Sequence, residues 1–239
     1  MTVVLLVRHG LTHLTGPVLS GWTPGLHLDD RGAEQASQLA ARIRPLNLDA
    51  IVTSPLERCL DTAAVIAGDR NLDVIVDQRL GEARYGDWTG REIRKLVRDP
   101  LWKVVQSQPS AVTFPNGEAM RDVQSRALAA VREWNERLGP NATWLVCSHA
   151  DVIKSIVSDA LGLHLDQFQR IAIGPASVTV IRYAGVRPTV LRVNDLGVLF
   201  EDLLPLRRPT RGRGHARGTA RESAGSPPPD GTGGTSAHD

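Results

Sequence analysis

With 239 residues, 41% hydrophobic and 23% charged, the chain is long enough for one well-packed domain with a tail, and nothing in it demands a second core. Its formal charge of +2 excludes a general polyanion-binding balance. The segment from Arg207 onward holds six arginines against Glu222, Asp230 and Asp239, so the remainder is close to neutral and any attraction for phosphate there is local. Two cysteines, Cys59 and Cys147, lie far apart along the chain in helix-like and strand-like contexts. That excludes a disulfide framework and points to core thiols in a reducing cytosol.

The first apolar run, Val3 to Val7, is continuous and branched, which predicts a strand buried on both faces. It is too short for a secretory signal or a membrane span and has no basic region before it, so a cytoplasmic protein is expected. Arg8 and His9 emerge at the strand's tip, and Gly10 is expected to let the backbone turn sharply. "DRGAEQASQLAARIRP" follows, with Ala36, Leu39, Ala40 and Ile43 at helical spacing and a stop at Pro45. "DAIVTSP" predicts a second strand, and Ser54 with Pro55 an N-cap pair opening the helix "LERCLDTAAVIAGD".

A short third strand, "LDVIVD", precedes an irregular middle, with a turn-rich "GEARYGDWTG" and one helix-like run, "REIRKLVRDPLWKVV". Asn116 is the expected cap of the long helix "GEAMRDVQSRALAAVREWNERL". "ATWLVCSHADVIKSIVSDALG" then repeats the opening pattern of buried strand, polar tip and helix, and "SVTVIRY" and "PTVLRV" close the domain. Strands alternating with helices predict an α/β three-layer sandwich with a mainly parallel central sheet flanked by helices. Residues 1–206 are expected to form this domain. The Arg/Gly/Pro-rich remainder, 207–239, is expected to be disordered, and any nucleic-acid contact would be confined to it.

Ligands of open α/β sheets bind outside the carboxyl ends of the strands. Three predicted strands end in polar groups there: Arg8 and His9, Thr53 and Ser54, Ser148 and His149. Arg58, in the first turn of the helix after Ser54, projects toward the same edge. Two histidines and two arginines at one edge make an anion site, for which the natural ligand is a phosphate group. A neutral imidazole can attack phosphorus, a role His9 fits. The departing alkoxide needs an acid, for which Glu82 is the best candidate and Asp87 its rival in the same turn-rich segment.

"LVRHG", "TSPLERCLDTA", "LGEARYGDWTG", "FPNGEAM" and "VCSHADVIK", in this order, resemble the histidine phosphatase superfamily, which includes phosphoglycerate mutases and many phosphatases. The resemblance spans about residues 3 to 195 and implies a phosphoglycerate mutase-like fold. It implies His9 as the phosphorylated nucleophile, Arg8, Arg58 and His149 on the phosphoryl oxygens, and Glu82 as proton donor and then general base. Thr15, Gly21 and Ala150 complete the substrate-binding set implied. Leu11 stands where the family has an acidic or amide residue, Thr15 where it often has asparagine, and Ala150 where it usually has glycine.

Other readings are weaker on the sequence. His9 and His13 could suggest a metal pair at helical spacing, but Gly10, Gly16 and Pro17 argue against a helix there, so no metal and no cofactor is expected. Ser148, His149 and Asp151 crowd into four successive positions rather than forming a triad, and no G-x-S-x-G elbow exists. "GRGHARG" in the tail follows no strand and carries no dinucleotide signal. The compact stretch Trp88 to Asn116 lacks the longer insertion of the mutases, although Tyr85 matches one of their features. The expectation is a metal-independent phosphomonoester hydrolase acting through phosphohistidine on a small phosphorylated metabolite. A phosphoglycerate-type mutase is the alternative, and a phosphate-binding module without turnover a more remote one.

Overall fold

The structure, a computed structural model, describes residues 1–68 and 70–197. The tail expected from Arg207, and the domain end expected at 206, lie outside the described residues. Four strands run parallel: β1 (Thr2–Arg8), β2 (Ala50–Thr53), β3 (Val74–Val76) and β4 (Thr143–Ser148). In the closing hairpin, β5 (Val178–Ala184) runs antiparallel beside β1 and β6 (Arg187–Asp195) antiparallel beside β5. The order across the sheet is β3-β2-β4-β1-β5-β6. The expectation of a mainly parallel sheet is met, with the two closing runs forming its antiparallel edge.

Alternation along each strand decides which layer its side chains join. Val4, Leu6, Val52, Trp144 and Val146 face one layer. It is built on α5 (Met120–Leu138) and α6 (Ala150–Ala160) through Val131, Trp134, Ile153 and Ile156. Leu5, Val7, Ile51, Leu145 and Cys147 face the other. That side is covered by α1 (Asp30–Ile43) and α2 (Glu57–Ala67) through Leu39, Ile43, Cys59 and Ile66. The predicted face of α1 is buried at Ala36, Leu39 and Ile43, with Ala40 at its margin. Asp29 caps it, accepting from the Gly32 amide at 2.8 Å.

Four local expectations are corrected. Gly10 has no positive φ. It is needed for proximity, since a Cβ there would stand 2.5 Å from the Gly32 carbonyl oxygen. Ser54 does not cap α2, which begins at Glu57 after Leu56; its hydroxyl accepts from the Leu56 amide at 3.3 Å and turns to His149. Asn116 does not cap α5, whose N-cap is Ala119. Its amide donates instead to both carboxylate oxygens of Asp87, at 3.2 and 3.1 Å. The run read as one helix is two, α3 (Ile93–Leu96) and α4 (Pro100–Ser107). Pro100 cannot continue a helix but can open one, and Asp99 caps it through the Leu101 amide at 3.0 Å.

Gly32 sits in the first turn of α1, where a Cβ would lie 2.0 Å from the Leu11 carbonyl oxygen. Glycine to alanine in a helix ordinarily stabilises. Here Gly32→Ala is expected to lose about 1–3 kcal/mol by overpacking, read as a lower urea midpoint with an unchanged slope.

Candidate active site

The sheet register builds the site. β1 and β4 place Arg8 opposite Ser148, and the His9 amide donates to the Ser148 carbonyl at 3.0 Å. The Ser54 amide donates to the Cys147 carbonyl at 2.9 Å. Backbone hydrogen bonds thus join the ends of β1, β4 and β2. His9, His149 and Ser54 stand in a row at the sheet's carboxyl edge, and the His9 and His149 ring centres are 5.2 Å apart.

Arg58, the second residue of α2, is 1% exposed and bridges the two rings. Its Nε donates to His9 Nε2 at 3.2 Å, and its Nη2 donates to the Gly21 carbonyl at 2.9 Å and lies 3.1 Å from His149 Nδ1. Its Nη1 and the Nε of Arg8 are buried without a partner among the described residues. Arg8 is steadied by Nη1 donating to the Ile173 carbonyl at 2.7 Å. Donors held ready in this way are what a phosphoryl group requires.

These contacts assign the imidazole tautomers. His9 Nδ1 lies 2.7 Å from the Gly10 carbonyl and must donate to it, so Nε2, facing Arg58, keeps its lone pair. Burial, then Arg58 and Arg8, push the His9 pKa well below the usual histidine range. The ring is a neutral base at working pH. His149 is likewise driven neutral by burial and by Arg58, and its Nε2 lies 2.8 Å from Ser54 Oγ.

Glu82 is 8% exposed, its Oε1 accepting from the Ala83 amide at 3.0 Å. Burial first, then the Asp151 charge, push its carboxyl up to about 7, while Arg58, the Ala83 amide and Arg8 pull the other way. Its Oε2 stands 3.8 Å from His149 Nδ1. That spacing has the form of an ion pair, but both shifts favour the neutral forms, so it is not one near neutral pH. The turn that carries Glu82 is pinned through its carbonyls. Arg126 donates to those of Arg79, Gly81 and Glu82 at 2.5, 2.8 and 3.0 Å, and the Trp22 indole donates to Glu82 at 2.7 Å.

A cavity of about 210 Å3 opens over these groups. Arg8, His9, Thr15, Gly21, Arg58, Glu82 and Ala150 line it, and His149, fully buried, stands behind Arg58. Thr15 is tied to Thr12, whose amide it accepts at 3.0 Å. Gly21 anchors Arg58 through its carbonyl. Asp87 is not at the site; it is exposed and bound to Asn116. His13 is exposed and away from His9, and no group of three or more metal-ligand residues occurs among the described residues. Ser148 donates to the Leu80 carbonyl at 2.7 Å and faces no triad.

Sequence reasoning missed Asp151, which lines the cavity and accepts from the Tyr85 hydroxyl at 2.8 Å. Its place in the first turn of the helix after His149 was the available signal. It also missed Arg126 and Trp22, which act through backbone carbonyls and leave no motif. Cys59 and Cys147, distant in sequence, share one buried cluster as free thiols, and Cys59 Sγ is 3.5 Å from His149 Nε2.

The family model of the histidine phosphatase superfamily (branch 1) matches residues 4–196. The chain belongs to this superfamily. It is 31% identical to phosphoserine phosphatase 1 of Hydrogenobacter thermophilus, over 81% of this chain and 92% of that one. It is also 31% identical to the "Probable phosphoglycerate mutase GpmB" of Cronobacter sakazakii, over 77% and 86%. The solved structure of Bacillus stearothermophilus YhfR superposes with a TM-score of 0.75 at 31% identity, covering 82% of this chain and 98% of that one. No helix among the described residues is long and apolar enough to cross a membrane.

The Glu82 carboxyl, raised to about 7, is protonated below that pH and lost as an acid above it. The ratio of alkyl to aryl phosphate hydrolysis is therefore expected to be level below about 7 and to fall above it, because only the alkoxide needs the proton. Asp151→Asn removes a neighbouring negative charge and should move that fall to lower pH. A pH profile of the ratio for both proteins checks this.

Proposed function

We propose that the chain is a phosphomonoester hydrolase that acts through a phosphohistidine on His9, with a small phosphorylated metabolite as substrate. The observation that carries this reading is the orientation of His9, whose bond to the Gly10 carbonyl turns the Nε2 lone pair toward the buried guanidinium of Arg58. Nε2 attacks phosphorus in line as the bond to the alcohol oxygen breaks, and Glu82 gives its proton to that oxygen. Water then attacks phosphorus, Glu82 takes the proton, and the P–N bond breaks to restore His9.

Arg58 would release His9 Nε2 and turn its Nε and Nη1 to the phosphoryl oxygens, joined by Arg8. Burial first, and Arg58 next, keep His149 neutral; the arriving negative charge favours its protonated form, so His149 takes a proton from solvent and becomes a third donor. The first amide of α6, on Ala150, and the Thr15 hydroxyl would contact the substrate from either side. Loss of one charged donor is expected to cost on the order of 3 kcal/mol of barrier.

The likeness to GpmB supports a mutase as the second reading. Against it, among the described residues the cavity lining has no basic residue beyond Arg8, His9 and Arg58 to hold a second anionic group. A binding module has no use for a carboxyl raised to about 7 beside an imidazole lone pair. The two free buried thiols support a cytoplasmic setting.

His9→Ala is expected to abolish phosphate release while the thermal transition stays in place, with EDTA without effect on the parent enzyme. Glu82→Gln should slow alkyl phosphates by 100-fold or more, on the order of the share general acid catalysis supplies, and aryl phosphates far less. Phosphate release from a panel of esters reads both. Turnover by His9→Ala, or by the parent only with an added bisphosphate primer, would count against hydrolysis through His9.

A further inference from the structure

The phosphoryl cavity does not end at its outer wall. A second hollow, of about 220 Å3, adjoins it, and the two share Leu19, Tyr85, Ile93 and Asp151. Beyond these shared residues the walls of the second hollow include Trp88, Trp102, Val105 and Phe114. The aromatic rings pack on one another, with centres 6.2 Å apart for Trp88 and Trp102 and 5.6 Å for Trp88 and Phe114. The ledge between the hollows is held by backbone hydrogen bonds. Leu19 donates to Arg91 and accepts from Gly90, at 2.9 and 2.8 Å, and Ile93 donates to Pro17 at 2.9 Å. Leu19 and Ile93 are themselves only half-buried, so they offer an apolar sill rather than a sealed wall.

The second hollow holds two charges, and they offset each other. Lys154 Nζ is 3.5 Å from Asp151 Oδ1 and donates to Gln169 at 3.1 Å, while the other Asp151 oxygen is taken by Tyr85. Neither an anion nor a cation finds a free counter-charge there, and stripping its water would go uncompensated. In the first cavity the basic groups all sit at the phosphoryl end, so a carboxylate on the alcohol would meet Glu82 and Asp151 instead. Aromatic walls with paired charges favour an uncharged, apolar guest.

We propose that the second hollow is the leaving-group subsite, and that the preferred substrates are phosphomonoesters of alcohols carrying an uncharged apolar or aromatic body. This inference rests on the hydrolase reading above. The phosphoryl group sits on Arg8 and Arg58, the ester oxygen lies at Glu82, and the body crosses Leu19 and Ile93 to reach Trp102 and Phe114.

The test is kcat/KM of the full chain for ethyl, propyl, butyl and 2-phenylethyl phosphates, with 3-phosphoglycerate and phosphoethanolamine as charged comparators. The simple alcohols are nearly equal leaving groups, so the series reads binding of the body. A rise of about fourfold per added methylene is expected, with both charged esters at least tenfold below propyl phosphate. Trp102→Ala, at a half-buried position, is expected to lower the 2-phenylethyl to ethyl ratio about tenfold. A flat or falling series, a charged ester above butyl phosphate, or an unchanged ratio in a folded Trp102→Ala protein overturns the proposal. Should that variant not fold, the parent series decides alone. Ethyl phosphate hydrolysed without any preference removes this inference and leaves the hydrolase reading. No release from any ester, p-nitrophenyl phosphate included, removes both.

Discussion

Arg58 is a buried cation whose hydrogen bonds go to neutral acceptors: the His9 ring and the Gly21 carbonyl, with His149 Nδ1 in reach. No carboxylate pairs with it directly among the described residues, and one of its nitrogens has no partner. Holding a guanidinium this way costs several kcal/mol that the fold must offset elsewhere. The packed layers on either side of the sheet supply that stability, and the uncompensated charge leaves the cavity with an unmatched positive potential. Burial first, and then this charge, push the pKa of both histidines well below the usual range, so the cation that binds the two rings also favours their neutral forms.

The Glu82 carboxyl is held by different means. Glu82 sits on a turn rather than a strand, and turns are ordinarily the mobile parts of such folds. Three carbonyls in that turn accept from Arg126, which Glu118 grips at Nε and Nη2, at 2.6 and 3.0 Å. The Trp22 indole closes the other side, with Arg84 stacked over its ring at 3.9 Å. Glu82 is thereby referenced to α5 and to the loop before α1, so its distance from His149 does not depend on the turn's own stiffness.

Much of this was legible in the chain. The strand runs ending in Arg8-His9, Thr53-Ser54 and Ser148-His149 revealed the sheet edge because buried parallel strands are apolar throughout and a polar tip interrupts them sharply. Arg58 was legible because a helix must follow Ser54-Pro55 and its first turn faces that edge. The errors fell where a short polar residue has more than one partner to choose from. Ser54 and Asn116 had the right chemistry to cap helices, and the fold gave them to His149 and Asp87 instead. Gly10 looked like a turn glycine, while its need comes from Gly32, a residue more than twenty positions away.

By itself the sequence determined the alternation of strands and helices and which basic side chains meet at the sheet's carboxyl edge, because each rests on local periodicity or on a polar tip that interrupts an apolar strand. Only the tertiary structure decided which imidazole nitrogen is free, which carboxylate remains protonated and which residues form the walls beyond the ester oxygen. Those depend on distances between segments far apart in the chain. Tautomers, pKa values and cavity walls are set by the field and packing of neighbours, and a linear pattern does not name its neighbours.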